Sequence, residues 1–359
     1  VELNKRKIKK GKSIMKEDNM TNQYKIALYQ EKREDGKVRC RLCPHNCIIN
    51  EGKLGVCNAR KNSGGTLYTL AYGNPCSLNI DPIEKKPLFH FYPGENILSL
   101  ATAGCNFHCL NCQNWQISQA SPEDFAQYRF TPEEIVQTAL SYHTKMIAFT
   151  YTEPTIFYEY MYDISVLAHR NGIKTVIVSN GFINPEPLND FCPLLDAANI
   201  DLKCFDDAVY KKLTTGGRLN PVLSTLKTLK NHDIWLEITN LIIPTYNDDP
   251  KMIQSMCEWL IENGFAETPL HFSSFFPSYK LQHVPPTPAS TLIMAKEIAE
   301  KVGIKYVYIG NMPHIHGENT YCPNCKELLI ARTRFSVRKN NIVDGKCAFC
   351  GESIPGRWN

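Results

Sequence analysis

The sequence has 359 residues, enough for one large folded domain with smaller appendages, and its formal net charge is only +4. The first 20 residues carry all of that excess, with seven Lys or Arg against three acids, so the remaining residues are balanced. The folded part is therefore not expected to present a nucleic-acid-binding face. No apolar run approaches the ~20 residues that a membrane span needs, so no membrane partner is expected.

Residues 1–23 form a basic segment that does not lead into the apolar stretch of a signal peptide. Its composition predicts a disordered tail. The whole chain carries 15 cysteines, many of them in C-x2-C and C-x3-C groups. In a reducing compartment such groups indicate metal ligation and not a disulfide framework, so we expect a cytoplasmic protein.

Residues 24–94 begin with a cysteine-rich stretch and continue into a β-rich connector over 66–94. The four thiols of this stretch belong to Cys40, Cys43, Cys47 and Cys57. Together they can close around one metal, either a structural zinc ion or an auxiliary iron–sulfur cluster, and the spacing does not separate the two. A structural role is favoured because four protein ligands leave no open position for chemistry. His45 is expected beside the metal and not as a ligand.

Residues 95–313 alternate between apolar runs typical of strands and patterns typical of helices. The strand-like runs are 97–104, 146–154, 174–181, 198–205, 234–244, 270–277 and 305–311. Helical patterns begin with Thr131 as N-cap and then cover 155–170, 221–232, 250–263 and 289–302. Apolar strands alternating with helices predict an α/β fold whose parallel sheet is buried on both faces. Six or seven such units predict a partial or near-complete TIM-type β/α barrel.

The first strand-like run leads into three thiols with C-x3-C-x2-C spacing, those of Cys105, Cys109 and Cys112. Soft thiolates at this density favour an iron–sulfur cluster or zinc over hard cations. A closed [4Fe–4S] site uses four thiolates, and the next cysteine in the sequence is Cys192. Three thiolates would leave one iron open to a small molecule. The alternative is a three-cysteine zinc site or a set of buried free thiols.

Polar residues stand where successive predicted strands end. They are Glu153, Ser179, Asn180, Asp201, Lys203, Asn240 and Asn311. Active sites of β/α barrels lie at the carboxyl ends of the strands, so we expect these side chains to converge with the three thiols on one mouth. Each residue alone has the simpler explanation of a helix cap or turn former. Their recurrence at one end of successive strands favours a site.

Residues 314–359 differ in composition from the preceding part and contain a further group of four thiols. Cys322 and Cys325 form one C-x2-C knuckle, and Cys347 and Cys350 form another, with 21 residues between them. This arrangement is typical of a zinc ribbon. Zinc would supply folding energy to a segment too short for a large core of its own.

The motifs from about residue 24 onward resemble those of the radical S-adenosylmethionine (radical SAM) member of the AmmeMemoRadiSam three-protein set, within the wider group similar to pyruvate-formate-lyase-activating enzymes. The shared motifs are CRLCPHNC, GVCNARKN, NIDPIEKKPLFHF, TAGCNFHCLNCQNWQISQ, YTEPT, SNGF, DLKCF, HFSSFFP, YVYIGN, TYCPNC and IPGRW. This resemblance implies a radical SAM barrel between a cysteine-rich N-terminal segment and a zinc-ribbon-like C-terminal segment.

The resemblance also implies cofactors and partners. Cys105, Cys109 and Cys112 would bind a [4Fe–4S] cluster whose open iron is chelated by S-adenosylmethionine. Reductive cleavage of the sulfonium would give a 5'-deoxyadenosyl radical. An electron donor such as ferredoxin or flavodoxin is implied as a partner, together with the Memo-like and AMMECR-like companion proteins of the set.

The same resemblance implies that four strand-end residues lie near S-adenosylmethionine. Glu153 matches an acid near the amino end of the methionine moiety, where a carboxylate would make a charge-assisted contact with a cationic amine. Asn180 matches the SNG turn, and Asp201 with Lys203 matches a D-x-K signature near the cosubstrate.

One position departs from the superfamily pattern. An aromatic residue often precedes the third cysteine and meets the adenine, but this chain has Asn111 there. Trp115 is predicted to provide the stacking surface instead. Two alternatives stay open, namely that adenine packs on another strand and that Trp115 is a core residue.

We therefore expect a radical SAM enzyme that abstracts hydrogen from an unidentified substrate. Its substrate is either a small molecule or modification site handled with the companion proteins, or a glycine of a partner protein, as in glycyl-radical activation. The cysteine-rich ends and the YTEPT motif favour the first version. A non-enzymatic iron–sulfur electron carrier or zinc-ribbon adaptor is the rival from another class. A carrier needs no open iron, and an adaptor needs no polar barrel mouth.

Overall fold

The computed structural model describes residues 24–126, 128–312 and 317–358. The predicted tail at 1–23 and the predicted boundary between residues 313 and 314 lie outside these ranges. The helices in them are α1 (Trp115–Ser118), α2 (Pro132–Ser141), α3 (Tyr158–Arg170), α4 (Pro185–Phe191), α5 (Asp207–Thr214), α6 (Leu219–Asn231), α7 (Pro250–Glu262) and α8 (Ala289–Val302). None of the described helices combines the length and the apolarity that crossing a membrane would require.

The strands fall into three groups along the chain. The N-terminal group is β1 (Lys25–Ile26), β2 (Gln30–Lys32), β3 (Val38–Cys40), β4 (Ile48–Ile49), β5 (Arg60–Ser63) and β6 (Thr66–Thr69). The central group is β7 (Pro75–Pro82), β8 (Asn96–Thr102), β9 (Met146–Phe149), β10 (Lys174–Ser179), β11 (Ala197–Asp201), β12 (Trp235–Ile242), β13 (Leu270–Ser274) and β14 (Val307–Gly310). The C-terminal group is β15 (Thr320–Tyr321), β16 (Leu328–Thr333), β17 (Ser336–Asn340), β18 (Ile342–Val343) and β19 (Lys346–Cys347).

The central strands form one sheet in the order β14–β13–β12–β11–β10–β9–β8–β7. Neighbours from β8 to β14 run parallel, and β7 pairs antiparallel with β8 at one edge. All four residues of β9 are buried, as expected for a parallel sheet covered on both faces. The predicted α/β fold is therefore confirmed as a mostly parallel, eight-stranded sheet. Among the described residues no pairing joins β7 to β14, so the confirmation does not extend to closure of a barrel.

Several helix boundaries follow cap signals in the sequence. Thr131 Oγ1 accepts from Glu134 N at 3.2 Å while Glu134 Oε2 accepts from Thr131 N at 2.7 Å, a capping box that starts α2 as predicted. The Asp249 carboxylate accepts from Met252 N at 2.9 Å at the start of α7. α8 ends at Gly303, whose φ of 115° lies in the left-handed region. These caps set where the loops between strands and helices begin and end.

The N-terminal segment is folded onto the central sheet. It forms two small sheets, with strand orders β1–β6–β5 and β2–β3–β4. Its buried residues Val38, Leu42 and Ala59 belong to the same apolar cluster as Leu98 of β8 and Phe149 of β9. The connector adds β7 to the central sheet itself. The cysteine-rich segment therefore shares its core with the sheet that it covers.

The C-terminal segment has a small core of its own. Leu329 and Ile330 of β16 pack with the thiols of this segment and with Phe89 and Tyr308, which lie outside it. The buried guanidinium of Arg332 donates to Phe89 O at 2.7 Å. These contacts dock the segment against the central sheet, beside the end of β14.

Candidate active site and metal centres

The three predicted cluster ligands lie on the loop that follows β8. The backbone of this loop is tied to the end of α5, where Leu110 N donates to Leu213 O at 2.9 Å. Gly104 opens the loop with a φ of 104°, and a Cβ at this position would lie 2.6 Å from the carbonyl oxygen of Cys57. Glycine is required because the backbone conformation and the close approach both exclude a side chain. The thiol-bearing loop is thus packed directly against the N-terminal segment.

Cys105, Cys109 and Cys112 line one cavity of ≈ 310 Å³ at the carboxyl edge of the sheet. The same wall contains the strand-end residues Glu153, Ser179, Asn180, Asp201, Lys203 and Asn311. Asn240, also a predicted strand-end residue, is buried against the backbone, with Nδ2 donating to Leu202 O at 2.6 Å. The structure therefore brings the three thiols together with most of the predicted polar set.

Glu153 presents a fixed carboxylate to the cavity although only 1% of its surface is exposed. Its Oε1 accepts from Thr155 N at 3.0 Å, from Thr155 Oγ1 at 2.7 Å and from Ser179 Oγ at 2.8 Å. Its Oε2 accepts from Asn180 N at 2.8 Å. Burial raises the pKa of Glu153 above its ordinary value, while the four hydrogen bonds act in the opposite direction by favouring the ionised form.

The Asn180 side chain is committed to the loops around the cavity. Its Nδ2 donates to Asn106 Oδ1 at 2.8 Å, and its Oδ1 accepts from Phe182 N at 2.9 Å. Asn106 Nδ2 in turn donates to Phe182 O at 2.9 Å. This closed set of contacts ties the SNG turn to the residue that follows Cys105. Asn180 therefore holds the shape of the cavity wall through both ends of its amide.

Asp201 and Lys203 form an ion pair at the end of β11, with Lys203 Nζ 2.8 Å from Asp201 Oδ2. Burial by itself would lower the pKa of Lys203, but the charges of Asp201 and of the Cys109 thiolate raise it above its ordinary value. The lysine is therefore cationic in neutral solution. Its charge lies where it can offset the negative charge of ionised thiols.

The chemistry of the three thiols fits the cationic iron of an iron–sulfur cluster. Burial raises the pKa of Cys109 to about 12, an effect that Lys203 opposes and Cys112 reinforces. Burial, followed by the charges of Glu153 and Cys109, raises the pKa of Cys105 well above its ordinary value. Thiols in such surroundings ionise when they bind a metal. An iron–sulfur cluster binds thiolates and supplies the cationic iron that this set needs.

Asn111 lies on the wall of the thiol cavity, whereas Trp115 lies outside it. Asn111 is buried on the cavity wall, and its Oδ1 has no hydrogen-bond partner among the described residues. Trp115 is 41% exposed and stacks on Tyr279, with ring centroids 5.2 Å apart and an interplanar angle of 13°. The structure does not bring Trp115 to the cavity, because its ring turns outward at the start of α1 onto a residue from a distant loop. Its exposure also argues against the core alternative.

A network whose charged side chains are buried, except for that of Lys85, adjoins the cavity and has no counterpart among the sequence predictions. Tyr151, on the cavity wall, donates its hydroxyl to the Asp81 carboxylate. Lys86 Nζ donates to the same carboxylate at 2.6 Å and Lys85 Nζ at 2.8 Å. Burial lowers the pKa of Lys86 to about 8, while Asp81 opposes this effect. The local motif DPIEKKP contains the charges, but it does not indicate a tyrosine 70 positions away.

The C-terminal thiols of Cys322, Cys325, Cys347 and Cys350 form a compact group. Their Sγ atoms all lie within 4.8 Å of one another. The distance is 3.6 Å between Cys322 and Cys350 and 3.7 Å between Cys325 and Cys347. Four thiolates around one tetrahedral ion at the usual Zn–S distance lie ~3.8 Å apart. The geometry of this group therefore fits a single metal ion.

The four N-terminal thiols also face a common space. Cys40, Cys43, Cys47 and Cys57 line a second, small cavity. Arg60 lines the same cavity and is paired with Glu159, and both side chains are only 1% exposed. His45 lies beside this group, with its Nε2 hydrogen-bonded to Asn106 O at 2.7 Å. The ring nitrogen thereby faces the loop that carries Cys105.

The three thiols lie together at the carboxyl edge of a mostly parallel α/β sheet, which is the edge where α/β enzymes place their active sites. The sequence model described as "Radical SAM superfamily" matches residues 99–260. The chain is 52% identical over 330 residues to the uncharacterized protein MJ0808 of Methanocaldococcus jannaschii, across 91% of this chain and 98% of that protein. The chain belongs to the Radical SAM superfamily. Membership implies an enzyme that uses a [4Fe–4S] cluster and S-adenosylmethionine.

Solved structures that align with this chain share little sequence with it. A domain of the pyruvate-formate lyase-activating enzyme from Bacteroides vulgatus aligns with a TM-score of 0.40 and 18% identity, over 46% of this chain and 98% of that chain. A radical SAM methyltransferase from Sphaerobacter thermophilus aligns with a TM-score of 0.47 and 13% identity, over 66% of this chain and 71% of that chain.

Proposed function

We propose that Cys105, Cys109 and Cys112 hold a [4Fe–4S] cluster with one open iron, at which the protein cleaves S-adenosylmethionine reductively to abstract hydrogen from a further substrate. One observation carries this proposal. The three thiols share a cavity with an anchored carboxylate and an ion pair, all at the carboxyl edge of a parallel sheet. A non-enzymatic electron carrier would have no use for this polar wall.

The cluster, when bound, supplies the electron that breaks the sulfonium C–S bond and so generates the 5'-deoxyadenosyl radical. The residues of the chain orient the two ligands and keep water away from them. Lys203 would offset the negative charge of the thiolates, and the more exposed Asp201 would be available to accept hydrogen bonds from the cosubstrate. Asn180 keeps the SNG turn in register with the thiol-bearing loop.

We assign Glu153 to the amino group of the methionine moiety. The four hydrogen bonds that it accepts favour its ionised form and hold both oxygens in place. A cationic amine would then meet a buried, oriented carboxylate. A hydrogen bond to a charged group contributes about 1.5–3 kcal/mol, so this contact would account for a substantial part of cosubstrate affinity.

The substrate is assigned to an adjoining cavity of ≈ 570 Å³ between the sheet and the C-terminal segment. Gln113, Ser273 and Asn311 line both cavities, so the two spaces meet at these residues. Phe276 and Phe335 add aromatic surface to the second cavity. The lining combines apolar and aromatic surface with several polar and charged groups, which suits a polar small molecule or a side chain of another protein. A substrate there would lie next to the cosubstrate.

We further assign zinc to the C-terminal group Cys322, Cys325, Cys347 and Cys350, on the short sulfur–sulfur distances. The grouping of the cysteines as metal ligands supports a cytoplasmic location. The motif resemblance supports a ferredoxin or flavodoxin as electron donor and the Memo-like and AMMECR-like proteins as companions.

The first experiment tests cosubstrate binding and cleavage in the whole chain. Protein reconstituted anaerobically with iron and sulfide should give an EPR spectrum that changes when S-adenosylmethionine is added. Reduction with dithionite should then release 5'-deoxyadenosine and methionine. An unchanged spectrum together with intact S-adenosylmethionine would contradict the proposal and favour the electron carrier.

A second experiment identifies the substrate class. The reduced enzyme is incubated with deuterated small-molecule candidates and, separately, with a companion or glycyl-radical partner protein labelled at glycine. Deuterium in 5'-deoxyadenosine identifies the source of the abstracted hydrogen. Label from a small molecule would support the version that we favour, whereas label from a backbone glycine would support the activase alternative.

A further inference from the structure

We propose that Cys40, Cys43, Cys47 and Cys57 bind a second [4Fe–4S] cluster with all four irons ligated, and not a single zinc ion. The site lies against the loop that carries Cys105. This inference concerns occupancy of the N-terminal segment and does not depend on whether the protein cleaves S-adenosylmethionine.

The distances between the sulfur atoms distinguish a [4Fe–4S] cluster from a single zinc ion. Within the described parts of the chain, the C-terminal quartet is the group whose ligand atoms all come within 4.8 Å of one another. No three of the N-terminal thiols meet that limit, although all four line one cavity. One tetrahedral zinc ion requires thiolates ~3.8 Å apart. A cubane binds each thiolate at a different iron, so its ligands stand farther apart.

The chain contains an internal reference for this comparison. Cys105, Cys109 and Cys112 have the spacing of superfamily cluster ligands, and they too face one cavity without meeting the 4.8 Å limit. The compact C-terminal quartet shows that the same chain can bring four thiols to single-ion distances. The N-terminal group therefore resembles the cluster loop and not the ribbon.

Arg60 gives an independent indication of a ligand in the N-terminal cavity. Its side chain is 1% exposed, lines the cavity and carries an Nε without a hydrogen-bond partner among the described residues. Its other nitrogens are engaged, since Nη1 donates to Leu28 O at 2.9 Å and lies 3.8 Å from Cys40 Sγ, while Nη2 pairs with Glu159. A buried cation beside thiolate sulfur stabilises an anionic cluster and raises its reduction potential.

The N-terminal site lies next to the loop that carries Cys105. The Cys57 carbonyl abuts Gly104, and the His45 ring is hydrogen-bonded to Asn106 O at 2.7 Å, so both neighbours of Cys105 contact the N-terminal segment. Thr155 lines the N-terminal cavity and also donates to Glu153 on the wall of the other cavity. A single layer of residues therefore separates the two sites, and unpaired electrons on both clusters should interact.

The test counts metals in the full-length protein after anaerobic reconstitution. The variant Cys105→Ser/Cys109→Ser/Cys112→Ser should retain about four iron and four sulfide per chain, with about one zinc, if the second site holds a cluster. The wild type should contain about eight iron. Two zinc ions and no iron in the triple variant, with four iron in the wild type, would overturn the proposal.

A matched variant, Cys43→Ser/Cys47→Ser, should lose the second cluster and keep the first. If that variant does not fold, Mössbauer spectra of the wild type decide the question, because two cluster populations support the proposal and one overturns it.

The EPR spectrum of the reduced wild type should differ from the sum of the two variant spectra through magnetic interaction. A wild-type spectrum equal to that sum would overturn the inference that the two clusters lie next to each other. Eight irons without S-adenosylmethionine cleavage would refute the proposed function and leave this inference standing.

Discussion

The thiol-bearing loop after β8 and the C-terminal segment 317–358 use cysteine in opposite ways. Three thiols on the loop face a cavity whose other walls are charged and polar, whereas the four thiols of the C-terminal segment lie within 4.8 Å of one another, with two pairs at 3.6 and 3.7 Å. The loop depends on the large central core, while the C-terminal segment has a small core built around its cysteines. The comparison teaches that the number of thiols and their surroundings, and not the presence of cysteine, distinguish the proposed open site from the proposed structural metal site.

Breaking the open site should have the largest effect on activity. Cys105→Ser, Cys109→Ser or Cys112→Ser should abolish production of 5'-deoxyadenosine, because the cofactor that performs the chemistry loses a ligand. Product is measured by chromatography after reduction with dithionite. Cys76→Ser, at a half-buried thiol of β7 outside all three groups, is the matched control and should remain active. Full activity in any of the three loop variants would contradict the assignment.

Glu153→Gln should have the next largest effect. The amide keeps the shape of the carboxylate but removes the charge that a cationic amine would meet, at a cost of about 1.5–3 kcal/mol, or roughly 10- to 150-fold in the Kd of S-adenosylmethionine. Equilibrium binding to the reconstituted enzyme measures the change. The exposed Glu133→Gln, in the first turn of α2, should bind like the wild type. Equal affinity in Glu153→Gln would mean that the carboxylate only caps the turn at Thr155.

Patterns that repeat along the chain were sufficient to predict the sheet and most of the cavity wall. Parallel strands end at one edge, so Glu153, Asp201 and Lys203 could be grouped before any contact was known. Contacts between distant segments could not be predicted in this way. The hydroxyl of Tyr151 on Asp81 depends on how β7 packs at the sheet edge, and local periodicity does not specify that packing.

The N-terminal group shows a further limit of sequence spacing. The positions of Cys40, Cys43, Cys47 and Cys57 are compatible with either metal, because spacing along the chain does not fix the distances between sulfur atoms. Those distances depend on how the loops fold over Arg60 and against Gly104. The fold, and not the motif, therefore carries the distinction between a cluster and an ion.

Removing one cysteine of the C-terminal group should affect folding of the C-terminal segment more than S-adenosylmethionine cleavage. Cys347→Ser should remove about one zinc per chain and unfold the C-terminal segment, since apparent zinc-binding free energies of about 10–16 kcal/mol are coupled to folding in such modules. Zinc analysis and limited proteolysis within 317–358 measure these losses. Cosubstrate cleavage should persist, because the thiol-bearing loop is held by α5 and the N-terminal segment. Loss of the loop cluster in this variant would show that the two centres fold as one.

Replacement of Trp115 should have the smallest effect, and it tests whether this residue contributes to S-adenosylmethionine binding. The indole lies on Tyr279 and is 41% exposed, so Trp115→Ala removes a surface stack and no part of the cavity wall. We expect stability to fall by about 0.5–1.5 kcal/mol, the usual contribution of an aromatic pair, with an unchanged Kd for S-adenosylmethionine. Asn111→Ala is the informative partner, because its Oδ1 is buried on the wall without a partner among the described residues. Weaker binding in Asn111→Ala alone would place adenine recognition on the loop, whereas weaker binding in Trp115→Ala alone would require the indole to turn inward when the cosubstrate binds.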